Sequence, residues 1–267
     1  MRAHFYGLSD VGKRREKNED SYLIDEPLNF CMVADGMGGH LGGEIASKLA
    51  VTTIHQALRH LEKDPETTLE EGVSIKRGDP ASYLRYAISL ASQEIHNKAD
   101  QETKLKGMGT TSVCALFRKN LVYIANVGDS RAYRIRDNKI VQMTKDHSLV
   151  GEQIRAGFLS QDDARGHRFK NIITRSVGFQ KSVDADIDIR AIRSGDTYLL
   201  CSDGLTNMVL DDEIRDIVLH NSPQAACQRL IDVANERGGD DNATVILATV
   251  EQGKDTVDAE APTLEAE

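Results

Sequence analysis

Apolar residues along the chain follow two rhythms. Short runs of five to eight residues recur at Ser21–Asp25, Phe30–Ala34, Thr110–Phe117, Leu121–Val127, Arg131–Ile135, Lys139–Thr144, Thr197–Ser202 and Ala243–Val250. Runs of this length, rich in Val, Ile, Leu and Tyr and bounded by turn formers, predict strands. The links "RKN" after Phe117 and "RDN" after Ile135 are too short for a parallel crossover, so the sheets are expected to be mainly antiparallel. Elsewhere the period changes to that of a helix. Ile45, Leu49, Ile54 and Leu58 form one stripe within Glu44–Leu61. Leu84, Ile88, Ala91 and Ile95 form another behind Asp79-Pro80, a capping side chain followed by proline at the first helical position. A third stripe, Ala226, Leu230 and Val233, begins after Ser222-Pro223 and stops at Gly238-Gly239.

Each helical stripe needs a sheet face to cover it. The pattern therefore predicts an α+β fold in which two mainly antiparallel sheets pack together and helices flank them, a four-layer α/β/β/α sandwich. Leu149–Gly178 fits neither rhythm. It is rich in Gly, Arg and His, with a capping box expected at Ser160 to Asp163, and is expected to be a lid-like excursion beside the core. Residues 251–267 are acidic and poor in large apolar side chains, so the folded domain is expected over 1–250 with a disordered tail behind it.

Composition narrows the function. The 267 residues are 40% hydrophobic, enough for a substantial core, and carry a net charge of −9, which argues against a nucleic-acid grip. No run of about 18 apolar residues offers a membrane span, and the first 20 residues lack the apolar centre of a signal peptide. Cys31, Cys114, Cys201 and Cys227 form no C-x-x-C pair and lie in apolar runs, as buried free thiols do. Together these features predict a cytoplasmic protein.

The distinctive chemistry lies at the strand ends. Glu19 and Asp20 precede a strand in "NEDSYLI"; Asp35 follows one in "VADGMGG"; Asp129 lies between two in "NVGDSRAY". Asp203 follows a strand in "LLCSDGL", and Asp240 and Asp241 precede the last in "GGDDNATVIL". A lone Asp-Gly is usually just a turn. If these ends share one edge of the sandwich, however, their carboxylates repel strongly and call for a cation. An all-oxygen donor set selects a hard ion, Mg²⁺, Mn²⁺ or Ca²⁺, over Zn²⁺. Calcium storage is the rival reading, but an EF-hand loop packs its acids into a dozen residues, whereas these spread over about 220. Arg14 and Arg15, just before Glu19 and Asp20, offer a planar fork for a phosphate, and metals with bound water and an arginine describe phosphate-ester hydrolysis.

The segments "SDVGKRREKNED", "VADGMGGHLGGE", "GMGTT", "VGDSRAY", "TKDHS", "LLCSDGL" and "GGDDNATV", in this order from Ser9 to about Val250, resemble the metal-dependent type 2C protein phosphatases (PPM family), most closely the compact bacterial members. The resemblance implies hydrolysis of phosphoserine and phosphothreonine in proteins with two Mg²⁺ or Mn²⁺ ions. It assigns Asp35 to bridge both metals, Asp203 and Asp241 to the first, and the Gly36 carbonyl with Asp20, and Glu19 through water, to the second. Asp129 with Asp203 matches a weaker third-metal site, Arg15 the phosphate-binding arginine, and the excursion after "TKDHS" the variable flap that touches substrate. It also makes phosphorylated proteins the partners and a Ser/Thr kinase the natural antagonist. One departure stands out: some members carry histidine at the position of Met37, as a general acid, and methionine has no proton to give. His40 is the candidate substitute, with metal-bound water as the other. A catalytically silent module that binds phosphorylated partners, and a phosphatase acting on small phosphates, are the competing functions.

Overall fold

A computed structural model describes residues 1–38, 41–64, 76, 78–160, 163–164 and 166–252. In chain order it contains strands β1 (Arg2–Asp10), β2 (Asp20–Asp25) and β3 (Phe30–Met37), then helices α1 (Gly42–Lys63) and α2 (Pro80–Gln101). Strands β4 (Gly109–Thr110), β5 (Ser112–Arg118), β6 (Leu121–Val127), β7 (Arg131–Arg136) and β8 (Lys139–Gln142) follow, then helix α3 (Leu149–Arg155). The remainder is β9 (Asp186–Ala191), β10 (Thr197–Cys201), α4 (Asp203–Thr206), α5 (Asp211–His220), α6 (Pro223–Glu236) and β11 (Ala243–Glu251).

The strands form two sheets, ordered β1-β11-β10-β7-β8 and β2-β3-β5-β6-β9, with β4 paired to the end of β3. Every pairing within them is antiparallel. Three apolar layers fill the spaces between four structural layers. Phe30, Met32, Cys114 and Leu116 meet Ile54 and Leu58 of α1 and Leu84 and Ile88 of α2. Cys31, Val33, Val113 and Ala115 meet Tyr198, Leu200, Ile246 and Ala248 between the sheets. Leu199, Cys201, Val245 and Leu247 meet Ile214 of α5 and Leu230 of α6. Alternate residues of one strand thus point into different layers, both apolar. This is why "FCMVA", "TYLLC" and "TVILA" read as unbroken apolar runs and not as alternating ones.

The expected helix signals act as read: Asp79 accepts the Ala81 N–H, and Ser222 accepts the Ala225 N–H. All four cysteines are free and buried. Among the described residues no helix is long and apolar enough to cross a membrane. Several boundaries differ from expectation. The run Thr110–Phe117 is interrupted at Thr111, because the Asp35 N–H opposite goes to the Thr111 hydroxyl instead of a backbone carbonyl. The run Lys139–Thr144 stops as a strand at Gln142, and the last strand reaches Glu251, one residue into the expected tail. Residues 253–267 of that tail lie outside the described residues. At Ser160 only half of the capping box forms: the Asp163 N–H donates to Ser160 Oγ, whose own hydroxyl donates to the Asp163 carboxylate.

At the end of β2 away from Asp20, the buried Asp25 carboxylate is paired with His55 Nε2 at 2.6 Å and accepts Arg59 Nε at 2.7 Å and the Leu28 N–H at 3.0 Å. Burial raises its pKa, but the bonds from Arg59, His55 and Leu28 outweigh this and lower it to about 2. A depressed carboxylate stabilises the fold above its unfolded pKa and loses that contribution as pH falls through the folded value. Asp25→Asn is therefore expected to cost about 1–2 kcal/mol at neutral pH, reduced by the half-exposure of Arg59. In denaturant titrations its deficit against the parent should close as the pH is lowered from about 5 to about 2. A pH-independent deficit would show that packing, not charge, is what the substitution removes.

Candidate active site

The acid-bearing strand ends meet at one edge of the sandwich. Antiparallel register sets Asp20 of β2 directly beside Asp35 of β3. Asp203 opens α4 immediately after β10, Asp241 sits just before β11, and β10 and β11 are neighbours in the other sheet. Asp129 lies in the turn between β6 and β7. Burial raises the Asp35 carboxyl well above its ordinary range, and Asp20, Asp203, Asp129 and Asp241 push it further in the same direction. Asp129 is likewise raised by burial and then by Asp203 and Asp146. Asp203 is raised by burial and by Asp241, against hydrogen bonds involving Asp35 and Asn207. Side chains that perturb one another in this way share a pocket.

Asp20 is held with particular care. Its Oδ2 accepts the Ser202 hydroxyl at 2.8 Å and the Thr244 hydroxyl at 2.6 Å. Its Oδ1 is buried and has no hydrogen-bond partner. Burial pushes this group up to about 7, despite the bonds from Thr244 and Ser202. Asp35 is fixed through its backbone: its N–H donates to Thr111 Oγ1 at 2.9 Å, and its carbonyl accepts the Thr111 N–H at 2.8 Å and the Thr110 hydroxyl at 2.9 Å. Asp203 Oδ2 accepts Asn207 Nδ2 at 2.9 Å. Gly36 has to be glycine because a Cβ there would stand 2.1 Å from the Gly43 carbonyl oxygen and 2.6 Å from that of Glu19. Gly204 is as constrained, with the Asn242 carbonyl oxygen 1.9 Å from where its Cβ would be.

The two arginines separate. Arg15 donates to Asp241 Oδ2 at 2.8 Å, at the rim of the acid cluster, with its side chain half exposed. Arg14 lies 3.9 Å from the exposed Asp240. Arg15 is thus already ion-paired, and a phosphate would have to share it with Asp241. Glu19 is half-buried and raised mainly by burial. His40 lies outside the described residues.

Among the described residues no three of these side chains are already drawn around one point as a finished coordination shell. They are held instead by Ser202, Thr244, Asn207 and Arg15. The set nonetheless fits hard divalent cations. Its donors are all oxygen, its charges crowd one another, and the orphaned Asp20 Oδ1 is a buried acceptor that calls for a cation.

Two kinds of residue escaped the sequence reading. Thr110 and Thr111 stand in the quoted "GMGTT", yet their grip on Asp35 depends on a contact spanning 75 or more residues. Asn242 is the second. Its Oδ1 accepts the Glu19 N–H, and its Nδ2 donates to the carbonyls of Val11 and Lys17. It thereby rivets the loop that carries Arg15 and Glu19 to the residue next to Asp241.

A face-to-face antiparallel sandwich with oxygen ligands gathered at one edge, beside an arginine, defines a metal-dependent phosphoester hydrolase. The protein phosphatase 2C family model matches residues 6–243, and the chain belongs to that family, the metal-dependent protein serine/threonine phosphatases. It is 39% identical over 262 residues to the serine/threonine phosphatase stp of Listeria welshimeri, covering 96% of this chain and 99% of that one. It superposes on the Mycobacterium tuberculosis serine/threonine phosphatase PstP/Ppp with a TM-score of 0.83 at 34% identity, covering 94% of this chain and all of that one. A PstP catalytic domain in complex with two manganese ions gives a TM-score of 0.79 at 34% identity, covering 94% and 99%.

Proposed function

We propose that this phosphatase hydrolyses phosphoserine and phosphothreonine by direct attack of water, with Asp20, Asp35, Asp203, Asp241 and the Gly36 carbonyl holding two Mg²⁺ or Mn²⁺ ions. Asp35 would serve both ions, Glu19 would act through water, and Asp129 with Asp203 would hold a third, weaker ion. The observation that carries the reading is the convergence of four aspartates from two sheets on one pocket, with Arg15 at its rim. Bound there, the ions supply a water acidified toward neutrality and screen the phosphoryl charge.

The remaining work falls to the chain. Arg15 grips the equatorial phosphoryl oxygens with its fork and stabilises the charge that spreads over them. Ser202 and Thr244 hold one oxygen of Asp20, which leaves the other, the buried and unpartnered Oδ1, for coordination. Thr110 and Thr111 fix the backbone on which Asp35 stands. Met37 cannot protonate the departing serine or threonine oxygen, and His40 is the candidate that could.

The four buried free thiols support a cytoplasmic setting, where the enzyme opposes a Ser/Thr kinase. Turnover of a phosphothreonine peptide is expected with added Mn²⁺, to vanish with chelator and to return when Mn²⁺ is restored. Faster turnover of free nucleotides than of the peptide would instead assign the site to small phosphates. In cells, deletion is expected to raise phosphoserine or phosphothreonine on specific proteins; an unchanged phosphoproteome would remove the kinase antagonism.

A further inference from the structure

A cavity of about 320 Å³ opens beside Asp129 and Asp203 and runs under α3 toward Lys170. Its lining carries four carboxylates, Asp129, Asp146, Asp203 and Asp211, and four cations, Arg131, Lys145, Arg155 and Lys170. Arg131, in the wall, is neutralised by Asp146, which accepts Nε at 3.0 and 3.1 Å and Nη2 at 2.7 Å. Asp129 and Asp203 belong to the acid cluster described above, and Asp211 accepts the Tyr133 hydroxyl. With Asp129 and Asp203 set aside for bound cations, Lys145, Arg155 and Lys170 face only the carboxylate of Asp211. Arg155 donates to the Asp146 backbone carbonyl at 2.8 Å, which orients its guanidinium without compensating the charge. No carboxylate among the described residues forms an ion pair with any of the three. Lys170 is half-buried, and its positive charge reaches across the cavity to lower the Asp203 carboxyl. Once the cluster's own charge is taken up by bound cations, this pull is freed for another anion.

α3 gives the cationic wall a rigid base. Ser148 caps the helix through the Gly151 N–H, the Leu149 N–H donates to the Ile172 carbonyl, and the Thr174 hydroxyl donates to Glu152. The volume lies at the lower end of the range for ligand pockets, suited to one side chain and its backbone more than to a free-standing metabolite.

We propose that this cavity is a specificity subsite of the phosphatase. It takes an anionic side chain, a carboxylate or a second phosphate, close in sequence to the phosphoserine or phosphothreonine being hydrolysed, with Lys170 and Arg155 as its recognition groups. The proposal rests on the phosphatase reading, and its test separates the two. Phosphothreonine peptides are compared in which Glu, phosphoserine, Ala or Lys is walked through the flanking positions. At one or two of those positions Glu and phosphoserine are expected to exceed Ala by about tenfold in kcat/KM, the worth of one charge-assisted hydrogen bond, with the gain in KM. A preference for phosphoserine alone would assign the subsite to phosphate; equal preference would assign it to negative charge of either kind. Lys170→Glu should reverse the order so that the Lys peptide becomes preferred, a gain that a damaged fold cannot produce. Equal turnover of all peptides by the parent, or an unchanged order in Lys170→Glu, would overturn the subsite and leave the phosphatase standing. Failure of the parent to hydrolyse any of them would overturn both.

Discussion

Asp35→Asn is expected to abolish turnover, by about a thousandfold or more, while the fold survives. Asp35 lies between Asp20 on its own sheet and Asp203 and Asp241 on the other, and all three push its carboxyl upward. A side chain so placed is the one proposed to serve both ions. Asparagine keeps the shape and loses the charge, and losses of this order accompany removal of even a single preorganised electrostatic contact. Two measurements separate a lost site from a lost fold. Mn²⁺ titration by calorimetry should show binding sharply weakened. Melting in chelator should come no earlier than for the parent, because an ionised carboxyl whose folded pKa is raised opposes folding at neutral pH. Undiminished turnover in this variant would end the bridging assignment.

Arg15→Ala is the second large effect, and it should fall on a different constant. The guanidinium is expected to bind phosphoryl oxygens, so its loss should raise KM about tenfold and lower kcat/KM by about 10- to 100-fold. Arg15→Lys should recover only part, since an ammonium is a point charge without the fork. The ion pair with Asp241 adds a second signature. Removing the arginine releases Asp241 Oδ2 and takes a cation away from the acids, so Mn²⁺ affinity should hold or rise while substrate affinity falls. An unchanged KM would remove Arg15 from the phosphate site.

The inner strands of both sheets were legible in the sequence because each is buried on two faces, which leaves unbroken apolar runs such as "FCMVA" and "TVILA". α2 and α6 were legible from their caps and stripes. β1 was not. It places Ala3 and Phe5 in the core but interrupts the pattern with Gly7, and its partner β11 lies at the far end of the chain. β9, "DIDIRA", is an edge strand whose alternation is short and flanked by charges, with Asp186, Arg190 and Ala191 exposed. α5 buries only Ile214 and Val218. The acids of the site were legible because each stands at a strand end next to a turn. Their supports were not, since Thr111, Ser202, Thr244 and Asn242 look like ordinary small polar residues until the fold brings distant segments together.

The rivet formed by Asn242 has a thermodynamic consequence. Three of its hydrogen bonds reach back across more than 220 residues to Val11, Lys17 and Glu19, so the segment between them is already ordered when a phosphoester arrives. The conformational entropy of arranging that segment is charged to the folding equilibrium, and the association step is spared it. Ligand capture by this rim should then resemble docking onto a stiff surface, with a small entropic penalty and little heat from loop rearrangement.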